Sequence, residues 1–503
     1  MDIKIPKRFL GRTGYQIFVD RFARVGEKPE TIEGRILKEW NDETIDWGPD
    51  EKGIYKNLEY YGGNLKGIIS KLDYLCDLGI DLIYLSPISK TVSSHHYDVE
   101  DQRIIDPWIG TWEDFRTLCK MSHDKGILIC VDLVFNHMGI NSYFYKEALN
   151  SKDSEYREWF EWDEEGKPVL WYGFKDMPQC DKLNPNYQEY TFSVAEKYIT
   201  EGADGIRLDL GENFPVEYMQ KFREYVKNLN PEVLIVSEMW EIATTKENPQ
   251  IYGDQVDSVM NYPMADAICR WIRYGNEEHF NYTYKEIKQY PEEVQAVLWN
   301  FIDSHDTPRA LNMLVGEGMN PNPFSGRIWD IESPWRNGDE FDTYGFRKWE
   351  SENNNLDIKL AINRIKLTSL LQYCIPGIPI VFYGTENGIT GYKDPFNRKP
   401  YQWNKESELI EYYKKLGKFR KENNDILKTS IMHKEELTAN ISFLMRISQN
   451  GILFVVMNRT ENEQKNPLSN WEFKRLDKVF EIGENDNTNI NPYGAIVYRL
   501  NSQ

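Results

Sequence analysis

The chain has 503 residues, 40% of them hydrophobic, and carries 80 acidic against 60 basic side chains, a formal charge of −20. That charge repels phosphate, which excludes nucleic acid and anionic membrane as partners, and the length allows a large core in more than one domain. No apolar run approaches a membrane span and the N-terminal MDIKIPKRFLGRTGYQIF lacks the apolar stretch of a leader, so the expected location is the cytoplasm.

Along the chain, apolar runs of strand length alternate with helical patterns, which is the signature of repeated βα units. YQIFVDRF reads as the first strand, Gly26 to Asn57 as a long loop, and NLKGIISKLDYLCDLG as an amphipathic helix closed by Gly79. DLIYLSP, the helix TWEDFRTLCKMSHDKG and the strand ILICVDLVFNH follow. Residues 138–187 are aromatic, charged and aperiodic, as expected of a subdomain inserted after the third strand. GIRLDL, VLIVSEMW, DSVMNY, VLWNFIDSHD and IPIVFYGTE complete eight strands, and ELIEYYKKLGKFRKEN is the last helix. ISFLMRIS, ILFVVMNRT, KVFEIG and AIVYRL then read as strands of an all-β tail. The expected fold is α/β: a (β/α)8 barrel over 1–137 and 188–425, an inserted subdomain over 138–187, and a C-terminal β-sandwich domain over 426–503. Cys76, Cys119, Cys130, Cys180, Cys269 and Cys374 form no C-x-x-C pair and most lie in apolar segments, so they are expected to be reduced core thiols.

Three carboxylates stand where predicted strands end: Asp209, Glu238 and Asp306. In a parallel barrel each strand delivers its last inward side chains to one rim, so these three can converge on one substrate. Arg207 and Asp209, two apart, share a strand face. A guanidinium beside a carboxylate favours its charged form, so Asp209 is expected to stay ionised and act as a nucleophile. Negative neighbours at Asp209 and Asp306 should raise the pKa of Glu238 and let it carry a proton. A single strand-end acid is more often a helix cap or surface partner; three together, flanked by Arg207 and His305, favour a functional site.

DLVFNH (132–137), GIRLDLGEN (205–213), SEMW (237–240) and FIDSHD (301–306), in this order and at this spacing, resemble the motifs of the α-amylase family of retaining glycoside hydrolases. YGGNLKGI, VMNYP and MPQCDKLNP, the last like the branch's M-P-K-L-N with three residues inserted, are most similar to the neopullulanase, cyclomaltodextrinase and maltogenic amylase branch. The resemblance implies a retaining α-glucan hydrolase acting on α-1,4 bonds, with α-1,6 bonds left open, of maltooligosaccharides, cyclodextrins or related glucans by double displacement, with starch and maltodextrin degradation as its role. Asp209 would be the nucleophile, Glu238 the acid and base, ~5 to 5.5 Å apart as retaining pairs are, and Asp306 would grip ring hydroxyls.

By the same likeness His137 and His305 would bond sugar hydroxyls, Arg207 would hold Asp209 charged, and Asp132 would support Arg207 from within. His95 and Tyr97 fit the family's H-x-Y, with Tyr97 the platform for the reacting sugar. Asp394 and Arg398 in DPFNRKP would hold the next sugar, and Trp240, with Tyr262, Trp171 and Phe174, would serve outer subsites. No cofactor is required by such a reaction; Asn136 matches a position that binds calcium in relatives, and calcium stays open against an Asn that bonds loop backbone. The branch carries an N-terminal β-domain that mediates dimerisation, whereas this chain enters its first strand almost at once, so a monomer with a more open cleft is expected. After Asp209 the order Leu-Gly-Glu-Asn departs from the branch, as does Glu241, so linkage and the balance of hydrolysis with transfer stay open.

Other readings remain at this point. An α-glucanotransferase or an oligo-1,6-glucosidase-like enzyme would keep the same motifs. Asp132, Asp209 and Glu238 could instead ligate Mg²⁺ in lyase or isomerase chemistry, although Arg207 opposes a divalent ion. A catalytically silent glucan-binding protein would keep the fold, although such relatives tend to lose an acid.

Overall fold

The computed structural model describes residues 3–42, 57–322, 326–330, 355–392, 394–429, 431–471 and 476–502. Eight short strands form one parallel sheet: β1 (Gly14–Ile17), β2 (Leu82–Leu85), β3 (Leu128–Leu133), β4 (Gly205–Leu208), β5 (Leu234–Ser237), β6 (Ser258–Val259), β7 (Trp299–Asn300) and β8 (Ile378–Phe382). Their order is β6-β5-β4-β3-β2-β1-β8-β7, and a parallel bridge between Met260 and Trp299 joins the two ends into a barrel. Every residue of these strands is buried, as expected when helices cover the outside and side chains fill the inside. β2 and β7 are not neighbours in the sheet, yet the rings of Tyr84 and Trp299 meet at 5.0 Å, a contact made through the barrel interior.

The strands fall where the apolar runs predict them, but local structure departs in three places. YQIFVDRF ends as a strand at Ile17 and turns into a one-turn helix, Val19–Phe22, because the buried Asp20 carboxylate accepts the backbone N–H groups of Tyr61 and Gly62 at 2.9–3.1 Å. NLKGIISKLDYLCDLG breaks into Leu65–Ile69 and Leu72–Asp77, where the Ser70 hydroxyl donates to Gly67 O at 2.7 Å and competes with the helix ladder. Gly79 follows with φ +82°, and a Cβ there would lie 2.7 Å from Gly417 Cα, so only glycine lets this turn pack on the helix Glu408–Glu422. Of the expected loop from Gly26 to Asn57, Ile36–Leu37 pairs in parallel with Glu59–Tyr60; residues 43–56 lie outside the described residues.

After β3 the chain leaves the barrel. His137 bridges to Gln179 and Phe160 to Cys180, and the helix Tyr143–Asn150 packs Phe144 against Tyr156, Trp159 and Tyr190. The chain returns in the helix Pro185–Thr200, whose Asn184 cap accepts from Tyr187 N and whose first-turn proline loses no hydrogen bond there.

The C-terminal strands β9 (Met432–Leu437), β10 (Ile441–Ser448), β11 (Gly451–Asn458), β12 (Asp477–Ile482) and β13 (Ala495–Asn501) form an antiparallel sheet in the order β9-β10-β11-β13-β12. Leu444, Leu453, Val455, Met457 and Val497 join the barrel core, whereas the alternating Phe443, Phe454, Val456, Ile496 and Tyr498 build a second core with Leu468 and Ile490. Across that second core lies a two-residue ladder, Gln464–Lys465 with Asn489–Ile490. All six cysteines are unpaired; five are buried and Cys76 is partly so. No helix among the described residues is long and apolar enough to cross a membrane.

Candidate active site

The C-terminal ends of β3, β4, β5 and β7 supply the charged groups. Arg207, wholly buried, is the hub: its Nη1 donates to Asp132 at 2.7 and 2.9 Å and to Asp209 Oδ1 at 2.9 Å. Its Nη2 lies 2.9 Å from Glu238 Oε2, an ion-pair contact that lacks hydrogen-bond alignment. One guanidinium therefore touches three carboxyl groups. Asp209 leads into a left-handed turn at Leu210 (φ +51°), and that turn aims the Leu210 N–H at Glu238 Oε2, 2.7 Å away. Gly211 completes it, since a Cβ there would sit 2.4 Å from Ser237 Oγ and push β4 and β5 apart. The other oxygen of Glu238 accepts the Trp240 indole N–H at 2.8 Å.

Burial raises the pKa of all four carboxyl groups and Arg207 opposes it in each; the rise is largest for Asp209, where Glu238 and Asp132 add to it. Arg207 favours the charged form of Asp209 as expected, but it is shared with Asp132 and Glu238, and burial pushes the carboxyl the other way. For Glu238 the upward direction holds, with burial as the main cause and Asp306 as the charge that adds. Arg207 touches three of these acids and Arg398 reaches the fourth, so the charge of each depends on the others.

The imidazoles are neutral. Burial pulls His137 down to about 4 and His95 and His305 well below the usual range. Gln16 Nε2 faces His305 Nδ1 at 2.7 Å, so the ring keeps its proton on Nε2 and donates it to the Tyr97 hydroxyl, which donates to Asp132 at 3.0 Å. His137 Nε2 meets Tyr97 O at 3.1 Å, and His95 Nδ1 accepts Tyr97 N–H at 3.0 Å. Three histidines thus hold Tyr97, two at its backbone and His305 at its hydroxyl. Asp306 is contacted by the Tyr262 hydroxyl at 3.3 Å and by Arg398 at 3.6 Å, and Arg398 pairs in turn with Asp394 at 2.8 Å.

Asp209, Glu238, Asp306, His95, Tyr97, His137, His305, Trp240, Asp394 and Arg398 all border a single cleft of about 800 Å³. Arg207 and Asp132 lie beneath its floor. Asn136 is buried away from it and its Oδ1 accepts from Lys182 Nζ at 3.3 Å; the same ammonium bonds Cys180 O at 2.8 Å and sits 3.6 Å from Glu161. A divalent ion at Asn136 would meet that fixed positive charge, so these residues do not fit calcium. Among the described residues no group of three or more His, Cys, Asp or Glu is arranged to hold a metal.

Of the aromatic candidates, Trp240, Trp171 and Phe174 line the cleft and Tyr262 does not. Tyr262 is wholly buried and stacks under Trp240 at 3.7 Å, so it supports the wall and faces no ligand. Trp171 and Phe174 stack on one another at 5.4 Å, and between them Tyr172, at φ +45° and 82% exposed, is the ring open to the cleft. Sequence reasoning passed over Tyr172, Lys246, Arg327 and Trp329, which also line it. The WYGF run was the signal for Tyr172; nothing local marks Arg327.

Residues 16–322 match the family described as alpha amylase, catalytic domain. The chain belongs to the α-amylase family. This α-amylase-family chain is a glycoside hydrolase by that membership. It is 32% identical over 466 residues to a cyclomaltodextrinase of Thermoanaerobacter pseudethanolicus, covering 89% of this chain and 70% of the relative. It is 30% identical over 467 residues to neopullulanase 2 of Thermoactinomyces vulgaris, covering 90% and 69%. The solved structure of a cyclic α-maltosyl-(1→6)-maltose hydrolase from Arthrobacter globiformis shares the fold with a TM-score of 0.78 at 24% identity, covering 99% of this chain and all of that one.

Proposed function

We propose that this α-amylase-family chain hydrolyses α-1,4 and α-1,6 glucosidic bonds of maltooligosaccharides, cyclodextrins or related glucans with retention of configuration. The observation that carries the reading is the single guanidinium touching Asp209 and Glu238 under a cleft that also holds Asp306. Asp209 attacks the anomeric carbon while Glu238 gives its proton to the departing oxygen. Glu238 then takes a proton from water, whose oxygen displaces Asp209 and frees the sugar. In the cleft two N–H groups point at Glu238 and one at Asp209. A glucan that brings its acetal oxygen to Glu238 and its anomeric carbon to Asp209 selects the state with Asp209 charged. Tyr97 offers a ring face to the reacting sugar, and Asp306, His137 and His305 offer hydrogen bonds to its hydroxyls; Asp394 and Arg398 hold the neighbouring one.

Magnesium-based lyase chemistry is disfavoured because Arg207 already contacts Asp132, Asp209 and Glu238, the ligands it would need. The unpaired cysteines suit a reducing cytoplasm.

Chromatography of products from maltotriose, β-cyclodextrin, pullulan and starch tests the substrate class, with panose from pullulan marking α-1,4 cleavage beside α-1,6 links. NMR of the first sugars released should show the α-anomer; the β-anomer would refute double displacement.

We infer that Lys182 does the work of a cation at Asn136. Activity and melting temperature should be unchanged by EDTA, whereas Lys182→Ala should lower stability by about 1–3 kcal/mol, because it leaves Asn136 Oδ1 and Cys180 O buried without their donor. Inactivation by EDTA that added calcium reverses would contradict this.

A further inference from the structure

Trp240 is covered on both faces. Tyr262 lies parallel to it at 3.7 Å with 9° between planes, so a second group over the ring must occupy the opposite face. That group is the Arg327 guanidinium, 4.9 Å from the ring centroid. Arg327 Nη2 also donates to Trp240 O at 3.2 Å and to Glu241 Oε1 at 2.7 Å, so it grips the residue from three directions. The short segment that carries it is itself anchored. The buried Arg270 donates to Asn320 O and Gly326 O at 2.8 and 2.7 Å, and Asp266 accepts Ile328 N–H at 2.6 Å. Trp329 closes the edge, 6.4 Å from Trp240 and 6.2 Å from Tyr262. The edge of the indole left to the cleft carries the N–H that bonds Glu238.

We propose that Arg327 is a positioning residue: by occupying the free face of Trp240 it denies that ring to a sugar and locks the indole N–H onto Glu238. The proposal rests on the reading of Glu238 as the acid and base. A cation is attracted to the face of an indole, and with two hydrogen bonds acting beside it holds one rotamer. Trp240 is then part of the acid's support, and the sugar on the leaving side must be held by something other than stacking on this ring.

The consequence is a pH effect with a defined sign. A hydrogen bond donated to a carboxylate favours its charged form, so a fixed Trp240 N–H keeps Glu238 lower than burial alone would set it. The charged and titratable groups facing Glu238 are Arg207 and Asp209 from β4, Asp132 below, Asp306 after β7, and the Tyr262 hydroxyl. Those around Trp240 are Glu212 with its partner Lys246, Glu241, Arg327 and Asp330.

The test is the pH profile of kcat/KM, on whichever of maltotriose and β-cyclodextrin is cleaved faster, for Trp240→Phe, Arg327→Ala, Arg327→Lys and the double variant Trp240→Phe/Arg327→Ala. Trp240→Phe keeps the stack on Tyr262 and removes the N–H; its basic limb should move up by about one pH unit with KM changed by less than about threefold. Arg327→Ala and Arg327→Lys should move the limb part of the way, since lysine keeps the charge and loses the planar fork. The double variant should match Trp240→Phe alone. An unmoved limb in Arg327→Ala would overturn the proposal. So would a further shift in the double variant, which would mean that Arg327 acts through its own field, or a KM about tenfold higher in Trp240→Phe with no shift, which would make the ring a sugar platform. Glu238→Ala separates this from the underlying reading: on an aryl α-maltoside, whose leaving group departs without a proton, activity restored by azide with formation of the α-glycosyl azide keeps Glu238 as acid and base whatever the limb does, whereas wild-type activity on maltotriose or β-cyclodextrin without azide removes that role.

Discussion

Asp209→Asn is expected to lower turnover by at least ~10⁴-fold, because an amide cannot form the covalent intermediate and its neighbours cannot replace it. The same change should leave a protein that melts at or above the wild-type temperature. Asp209 is buried and its folded pKa is raised, so the unfolded chain gives up this proton more readily than the folded one. The penalty is absent below the unfolded pKa of about 4 and grows as pH rises toward the folded value. The melting-temperature gain of Asp209→Asn should therefore widen between pH 4 and pH 7. Calorimetry at both values checks the sign; a variant less stable at pH 7 than at pH 4, relative to wild type, would show that Arg207 wins over burial after all. A site that lowers stability where it does chemistry is the expected trade.

Arg207→Leu should be the most damaging single substitution. It leaves Asp132, Asp209 and Glu238 facing one another in the barrel floor with no cation, and removing one partner of a buried ionic group destabilises by about 3–5 kcal/mol. Activity should fall below detection. The three carboxyls would relieve their repulsion by taking up protons, so the loss should be smaller at pH 5 than at pH 7. Urea unfolding at the two pH values measures this. An equal loss at both would mean that the guanidinium acts there as packing volume and not as charge.

The eight strands and the three acids were readable because both follow local rules. Apolar runs of four to six residues between helical patterns place the strands, and the period of two puts Arg207 and Asp209 on one face. The departures come from partners distant in sequence. Val19–Phe22 turns because Asp20 binds the backbone at Tyr61, and Ile36–Leu37 is a strand because Glu59–Tyr60 lies beside it. The pairing of Arg207 with Asp209 and Asp132 was readable, but that the same guanidinium also touches Glu238 appears only in the folded chain. Lys182 is 46 residues from Asn136 and Arg327 is 86 from Glu241, and only the folded chain brings either pair together. Among the aromatic candidates Tyr262 lies behind Trp240 instead of on the cleft, and Tyr172, which lines it beside Trp171 and Phe174, stands out only through its left-handed backbone.

The C-terminal sheet is apolar on both sides, one lying on the barrel and the other under its own cover. It is therefore less an appended module than a shared partition. Cutting the chain before Met432 would strip the barrel of a wall and expose an apolar face to water, so the catalytic half alone should be unstable, and heat or urea should dismantle the two halves in one cooperative event.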